Sequence, residues 1–516
     1  MSARRALDAV ALVLAAATLG VIVTGGLPRA GAAFTRPENF VVATAVVVGA
    51  RAVLTPFALP RVVAARAVVV GVAVYAMLMG FIVVTRHRAL RTHAFDLGQY
   101  LQIIWNIARG HGPDSTLVPT YVVPDRMHGW GDHFSPIFYA VAPLQWIAPG
   151  AASVLLAQTL ALAAGAVAVF AFARRRIGDG AAAAFALLYL VNPSVQGINV
   201  RDIHPAAFAI PLVIAAAWAF DARRYGWCAV ALVATLACRE DAAVAVVAFA
   251  VWLALARARW RVAVALAVAA VAVLAVDIGW LMPRFLGARY DHLNRYRHLG
   301  ESLGEVLLSI AFRPWRWIGL VVTPAKLVYL AAMLAPLAFL SLLGPRALFA
   351  AVPGLAMNLM SVDPKLINYQ AQYQAFVLPF LVLAAVDGYA RLRERLGERQ
   401  VFGRHRAASA LGAAFVLSTI LTARIVNDLG VNFWGLGPDQ HAAYALMARI
   451  PPDAPVAAQE RLVPHLATRR DVWVPPRGLS EAEYVIIRAT DLHLPPADRY
   501  TIVARENSWV LWRRRP

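Results

Sequence analysis

The sequence predicts an all-α polytopic membrane protein with about 13 transmembrane helices and a small extracytoplasmic α/β domain at its C-terminal end. Three observations carry this reading. Of 516 residues, 60% are hydrophobic and only 15% charged, where a soluble domain has about 25% charged residues. The apolar residues come in blocks of roughly 15 to 22, the length that crosses a bilayer as a helix. After about Leu429 the long apolar runs stop and shorter, strand-like segments begin.

Apolar spans are expected near 7–25, 39–58, 65–84, 152–173, 180–198, 205–220, 225–238, 242–256, 261–282, 324–343, 346–360, 372–390 and 407–426. With the N-terminus in the cytoplasm, the inside loops carry Arg51, Arg61 and Arg66, then Arg174 to Arg176, Arg223 and Arg224, Arg257 to Arg261, Arg346, and RLRERLGERQVFGRHR. Arginine in short loops marks the cytoplasmic side. The outside loops are longer and rich in Asp, His, Asn, Tyr and Trp. This segregation is independent of the alternation and supports it. The first segment resembles a signal peptide with a small-residue patch near Arg29 to Ala33, but its apolar run is long, which favours an uncleaved helix. SPIFYAVAPLQWIA, 135–148, is short for a span and reads as an interfacial or re-entrant helix.

Three regions follow. Residues 1–64 hold accessory helices. Residues 65–429 form the main membrane domain, with a first long outer loop over 86–151. Residues 430–516 form the α/β domain. In the last, PVAAQE and AEYVIIRA read as strands, DQHAAYALMARI and ERLVPHLATR as helices, and YTIVARENSWVLWRR as a hairpin turning at Glu506-Asn507-Ser508.

The formal net charge of +20 does not mark a nucleic-acid binder. The arginines sit in inter-helix loops, without a basic surface on a soluble domain. Cys228 and Cys238 share one apolar hairpin and suggest neither a disulfide framework nor a metal site. The sequence contains no nucleophile elbow, P-loop, dinucleotide fingerprint or zinc signature. That argues against a nucleotide-driven pump, a serine hydrolase and a metalloprotease.

Polar groups at helix ends near a bilayer are costly unless they face protein, water or ligand. HAFDLGQY puts Asp96 on an amphipathic helix starting at the outer surface. It is either a general base or metal ligand facing a cavity, or a helix-end acid pairing with Arg88 or Arg91. HGWGDHFSP adds Asp132 and His133, which would hold a divalent cation, position a sugar or phosphate, or form a capped Gly-rich turn. NVRDIHP offers Arg201 for a phosphate, Asp202 to orient it, and His204; the structural alternative is an Arg–Asp staple. CRED places Arg239, Glu240 and Asp241 between two short spans, where three charges need a water-filled cavity or mutual neutralisation. RYDHLNRYRHLG, with Arg289 and Arg295, suits a lipid phosphate or sugar face, or a helix resting on anionic lipid. NYQAQYQ offers Tyr369 and Tyr373 to a glycan, or forms an aromatic belt.

FDLGQYLQIIWNIARG, DHFSPIFYAVAPLQWI, RDIHPAAFAIP and CRED, with PVAAQERLVPHLATRR and AEYVII in the tail, resemble the bacterial and archaeal membrane family catalogued as DUF2079. The similarity spans roughly residues 65–500. That family is grouped with the GT-C glycosyltransferases, membrane enzymes that use polyprenyl-phosphate sugars at the outer or lumenal face. The resemblance implies a GT-C-like fold and a catalytic acid in the first long outer loop, the position of Asp96. GT-C enzymes commonly carry an acidic pair there. Here Leu97 follows Asp96, so Asp132 is the candidate second acid.

The resemblance therefore implies inverting sugar transfer from a polyprenyl phosphate to an acceptor hydroxyl, with Asp96 as general base. Arg201, Arg239 or the Arg289–Arg297 group would hold the departing phosphate. No cofactor is fixed by the residues. A divalent cation (Mg or Mn) is possible, with Asp96, Asp132 and His133 as candidate ligands. The expected partners are membrane lipid, the lipid-linked donor, and a glycan or lipid acceptor, in a bacterial cytoplasmic membrane. The alternatives are a polyprenyl-lipid or solute transporter and a non-catalytic envelope-assembly protein.

Overall fold

The computed structural model describes residues 3–24, 36–54, 60–118, 127–397, 401–427 and 436–516. Parts of the predicted spans 7–25 and 39–58 lie outside the described residues. The chain is mostly helical, with a small C-terminal sheet. Among the described residues four helices are long and apolar enough to cross a membrane: Arg61–Arg88, Ala151–Ile177, Asp179–Val200 and Trp260–Leu286. The apolar runs at 205–220 and 225–238 fold as the shorter helices Pro205–Asp221 and Tyr225–Leu236.

Local chemistry explains the breaks. Within Asp179–Val200 the helix pauses at Asn192, whose Oδ1 accepts from Ser194 N at 2.9 Å, and restarts at Pro193. An Asn cap followed by Pro at the first helical position is a favoured start. The run 324–343, expected as one span, ends as a helix at Leu334. Ala338 and Phe339 adopt left-handed backbone conformations, and two 3-10 turns replace the continuous helix. The 135–148 segment folds as two four-residue helices, Phe138–Val141 and Leu144–Ile147, too short to cross a bilayer.

Helix Ala151–Ile177 packs against Arg61–Arg88, Asp179–Leu190 and Ala209–Asp221. The shared core buries Phe172, Phe185, Phe249, Trp252 and Phe380. Val69, Leu160, Val230, Val264 and Val268 instead stay more than half exposed. Apolar exposure on this scale is unfavourable in water and neutral against lipid tails.

The C-terminal sheet has five strands in the order β4-β3-β5-β7-β6. These are β3 (Val456–Ala458), β4 (Val472–Trp473), β5 (Tyr484–Arg488), β6 (Tyr500–Glu506) and β7 (Trp509–Arg514); the short pair β1 (Asp114–Ser115) and β2 (Met127–His128) lies in the long loop. β3 runs parallel to β4 and β5, while β5–β7 and β6–β7 are antiparallel. The expected strands, hairpin and first helix are present, that helix as Pro438–Met447. The second helix shrinks to Val463–Leu466, and β4 was not expected from the sequence.

This domain docks on the first long loop. Its core takes in Leu90, Ala94 and Leu117. Gln102 Nε2 donates to Arg470 O at 2.8 Å, Val472 N donates to Thr116 Oγ1 at 3.1 Å, and Tyr444 OH donates to Arg88 O at 2.9 Å. Backbone groups that would be orphaned on burial are satisfied across the interface, which fixes the two parts relative to each other.

Candidate functional site

Asp96 lies on one π-helical turn, Ala94–Gly98, that runs straight into the α-helix Gln99–Ala108. Such turns are rare and recur at functional sites. Ala94 and Leu97 on this turn are buried, while the Asp96 side chain keeps 46% exposure toward a cavity of about 700 Å³. Its Oδ1 is 3.4 Å from His204 Nε2. His204 is fixed in turn: its backbone N donates to Gln158 Oε1 at 2.7 Å, and its Nδ1 lies 3.3 Å from Asp202 O. Burial pushes the Asp96 carboxyl up. The His204 hydrogen bond and charge, with His93 and His133 beyond, outweigh this and hold it below its ordinary value.

Arg201, Lys365 and Tyr373 line the same cavity, as do Glu460 and Arg461 of the C-terminal domain. Gly197 forms one wall by close approach: a Cβ there would stand 2.6 Å from Gln370 Cβ and O. Asp202 is buried and accepts from Arg86 Nη1 at 2.5 Å and from His93 N at 2.8 Å. It staples the end of helix Arg61–Arg88 to the turn before His204. One of its partners is thus a distant arginine, Arg86.

A second cluster lies one turn farther along the Asp96 helix. Gln99 Nε2 donates to Asp132 Oδ2 at 2.7 Å, and His292 Nε2 is 3.5 Å from Asp132 Oδ1. His133 Nδ1 is 2.8 Å from Glu240 Oε1, and the His133 and His292 rings stack at 4.5 Å. Glu240, almost fully buried, also accepts from Tyr290 OH at 2.7 Å and Phe134 N at 3.1 Å. Gly129 admits this loop against the helix, since a Cβ would meet Ile103 Cδ1 at 2.4 Å. Burial opposes every charge here. For Asp132 the His133 and His292 charges win, so its carboxyl sits well below the usual range. For His133, Glu240 and Asp132 win and raise the imidazole above its ordinary value. Tyr100, buried between the clusters, feels Asp132, Arg239, Asp96 and Glu240 together.

Donor atoms of Asp132, His133 and His292 lie within 4.8 Å of one another, so these three side chains can hold a metal ion. Two imidazoles and one carboxylate suit a borderline transition ion better than Mg²⁺. Asp96, proposed from the sequence as a ligand, stands apart on His204.

The CRED charges neutralise one another or their neighbours. Arg239, buried, makes a bidentate pair with Asp241, both bonds 2.6 Å. Asp241 then borders a third space, an apolar cavity of about 330 Å³ lined by residues such as Val247, Leu274, Ile310 and Met357. Its polar rim carries His292, Arg295 and Tyr373, so Tyr373 borders both this cavity and the Asp96 cavity. Arg295 pairs with Asp363 at 3.3 Å and lies over the Tyr373 ring. Arg289 is exposed and lines neither cavity; Tyr369 accepts from Gln370 Nε2 at 3.1 Å, also outside both linings.

Sequence reading did not single out Gln99, His292, Lys365, Glu460 or Arg461. Gln99 and His292 lay inside the quoted polar stretches. Glu460 and Arg461 follow a strand of a separate domain, and no periodicity signals that they reach the Asp96 cavity.

Comparison with curated proteins gives no match. Among solved structures, the chain is similar to the crystal structure of ArnT from Cupriavidus metallidurans bound to undecaprenyl phosphate, with 15% identity, TM-score 0.49, and coverage of 86% of this chain and 97% of that one. It is also similar to archaeal oligosaccharyltransferase AglB from Archaeoglobus fulgidus in complex with an inhibitory peptide and a dolichol-phosphate, with 11% identity, TM-score 0.43, and coverage of 81% and 69%. The model of the family described as "Predicted membrane protein (DUF2079)" matches residues 86–506, which include both polar clusters, the apolar cavity and the C-terminal sheet as far as β6. The chain belongs to the DUF2079 family of predicted membrane proteins.

Proposed function

We propose that this protein is a membrane glycosyltransferase that moves a sugar from a polyprenyl-phosphate donor to an acceptor hydroxyl, with inversion, at the outer face of a bacterial cytoplasmic membrane. The topology that goes with this is about 13 spans, an inside N-terminus and an outside C-terminal domain.

The observation that carries the reading is the junction at Tyr373. On one side lies a polar cavity holding the half-exposed Asp96 carboxylate with Arg201 and Lys365; on the other lies a mainly apolar cavity. A lipid-linked sugar has the same two halves. The apolar cavity takes part of the prenyl chain, and the cationic wall takes the phosphate. Asp96, held ionised, removes the proton from the acceptor hydroxyl. The acceptor oxygen attacks the anomeric carbon from the face opposite the phosphate. The carbon–oxygen bond to phosphate breaks, and its electron pair leaves with the polyprenyl phosphate. Arg201 and Lys365 stabilise the charge that grows there. His204 keeps Asp96 oriented. Asp132, His133 and His292 would hold a divalent ion, which when bound would supply further positive charge to the site.

The test is Asp96→Asn in the full-length protein. The near-isosteric variant is expected to keep its fold and to lose transfer of labelled sugar from a polyprenyl-phosphate donor. Full transfer by this variant removes Asp96 from the chemistry.

A further inference from the structure

Where the C-terminal domain meets Ala89, Leu90 and Arg91 there is a further cavity, about 510 Å³. Its floor is the carboxyl edge of the parallel strands. Gln459, Glu460 and Arg461 follow β3 directly, and Arg488 ends β5. In open α/β sheets the crevice beyond the carboxyl ends of parallel strands is the usual ligand position, because loops there diverge and leave space. Asp439 and Gln440, from the first turn of helix Pro438–Met447, close one side. Arg91, Glu460 and Arg461 line both this cavity and the one holding Asp96, so the two are contiguous.

The lining selects a ligand class. Gln459 Oε1 accepts from Arg461 N at 2.9 Å and Gln440 Oε1 accepts from Gly437 N at 3.0 Å. A backbone N–H can only donate, so both amides are oriented with their NH₂ groups away from those contacts. Neither NH₂ donates to a protein acceptor among the described residues. Arg488 is held by Asp439 at 2.7 Å and lies over the Trp509 ring at 4.6 Å, and Glu460 is held by His93 at 3.0 Å. The cavity thus presents fixed donors interleaved with the carboxylates of Asp439 and Glu460. Asp439 and Glu460 stand among Arg91, Arg461 and Arg488, so the lining offers acceptors as well as donors and is not the uniformly cationic wall of a phosphate site. A nucleobase or a prenyl chain finds no open aromatic face, since Trp509 is buried, and little apolar wall. Alternating donors and acceptors match vicinal hydroxyls, each of which donates and accepts.

The geometry points to this cavity as the acceptor subsite: the C-terminal domain binds a saccharide unit of the acceptor across the carboxyl edge of β3 and β5, and the shared wall at Arg91, Glu460 and Arg461 leads its reactive hydroxyl to Asp96. The acceptor role rests on the transferase reading above; the saccharide site does not.

The experiment uses full-length protein in lipid nanodiscs and saturation-transfer NMR with glucose, mannose, N-acetylglucosamine and glucuronic acid, each added alone. At least one sugar is expected to receive saturation from the wild type and from Asp96→Asn. The double variant Gln440→Leu/Gln459→Leu should lose most of that signal, and so should Gln459→Glu, which keeps the backbone contact and replaces the donor. In the transfer assay the double variant should raise acceptor KM about tenfold, the effect of two neutral hydrogen bonds, and leave donor KM and kcat unchanged. No sugar signal with the wild type, or a signal that both variants retain, overturns the subsite. A sugar signal sensitive to both variants, in a protein that transfers nothing from a polyprenyl donor, sustains the subsite and removes the transferase reading.

Discussion

Replacing Glu240 by Gln should change the ionisation of His133 before it changes anything else. Glu240 Oε1 is 2.8 Å from His133 Nδ1, and both groups are buried among Asp132, His292 and Tyr290. Two unit charges at 2.8 Å interact with about 6 kcal/mol at an effective dielectric near 20. That corresponds to roughly four pKa units, of which desolvation of the imidazolium takes a large part. The expected result is a fall in the His133 pKa, because the Glu240 carboxylate is the largest charge that raises it, while Asp132 remains beside the ring. The assay is a ¹⁵N-histidine NMR titration in the presence of EDTA, with the His133 resonance assigned through His133→Gln. The sign of the stability effect follows. The raised His133 pKa gives stability that is complete below about 6.5 and is lost as pH rises through the raised value. The lowered Glu240 pKa gives stability that is complete above about 4.3 and is lost as pH falls through the lowered value. The pair therefore contributes fully between about pH 4.3 and 6.5 in the wild type, and the variant should lose the part of that pH dependence that Glu240 supplies. A His133 pKa that moves by less than about half a unit would refute an ionic pair, because even the exposed limit of Coulomb attraction exceeds that shift.

Three further outcomes follow from the cavities. Gly197→Ala forces a Cβ to 2.6 Å from the Gln370 backbone, and should cost about 1–3 kcal/mol in unfolding by denaturant; wild-type stability would mean that this wall gives way freely. Val247→Trp fills part of the apolar cavity of about 330 Å³, and should raise KM for a long-chain donor while leaving a donor cut to one isoprene unit unaffected. Equal effects on both donors would exclude chain binding there. His292→Ala should weaken Zn²⁺ binding more than about tenfold by isothermal titration calorimetry, and unchanged affinity would place the ion elsewhere than the Asp132–His133–His292 cluster.

Much of the architecture is legible in the chain because its signals are local. Apolar run length depends only on neighbouring residues, and so it locates helices such as Ala151–Ile177 and Trp260–Leu286. Alternation and a turn locate the β6–β7 hairpin. The errors are local conflicts settled by packing. The run 324–343 is apolar enough for one span, but around Pro336 it breaks into turns that fit the core. β4 is two residues long and exists only because β3 lies beside it.

The site divides the same way. The sequence by itself singled out Asp96, Asp132, His133, Arg201, His204 and Glu240, because charge beside apolar runs is costly enough to stand out. The arginine bias of the other loops also led to the expectation that the polar loops share one side. The sequence held no information on who faces whom. Only the tertiary structure decided that Asp96 meets His204, that Asp202 meets Arg86, that Arg239 pairs with Asp241, and that His292 rather than Asp96 joins Asp132 and His133 in a trio able to hold a metal ion. Only it brought Glu460 and Arg461 to the Asp96 cavity, hundreds of residues along the chain. The physical reason is range. Hydropathy and turn chemistry act over a few residues. Ion pairs and cavity walls are set by whole-domain docking, here by the burial of Leu90, Ala94 and Leu117 beneath the C-terminal sheet.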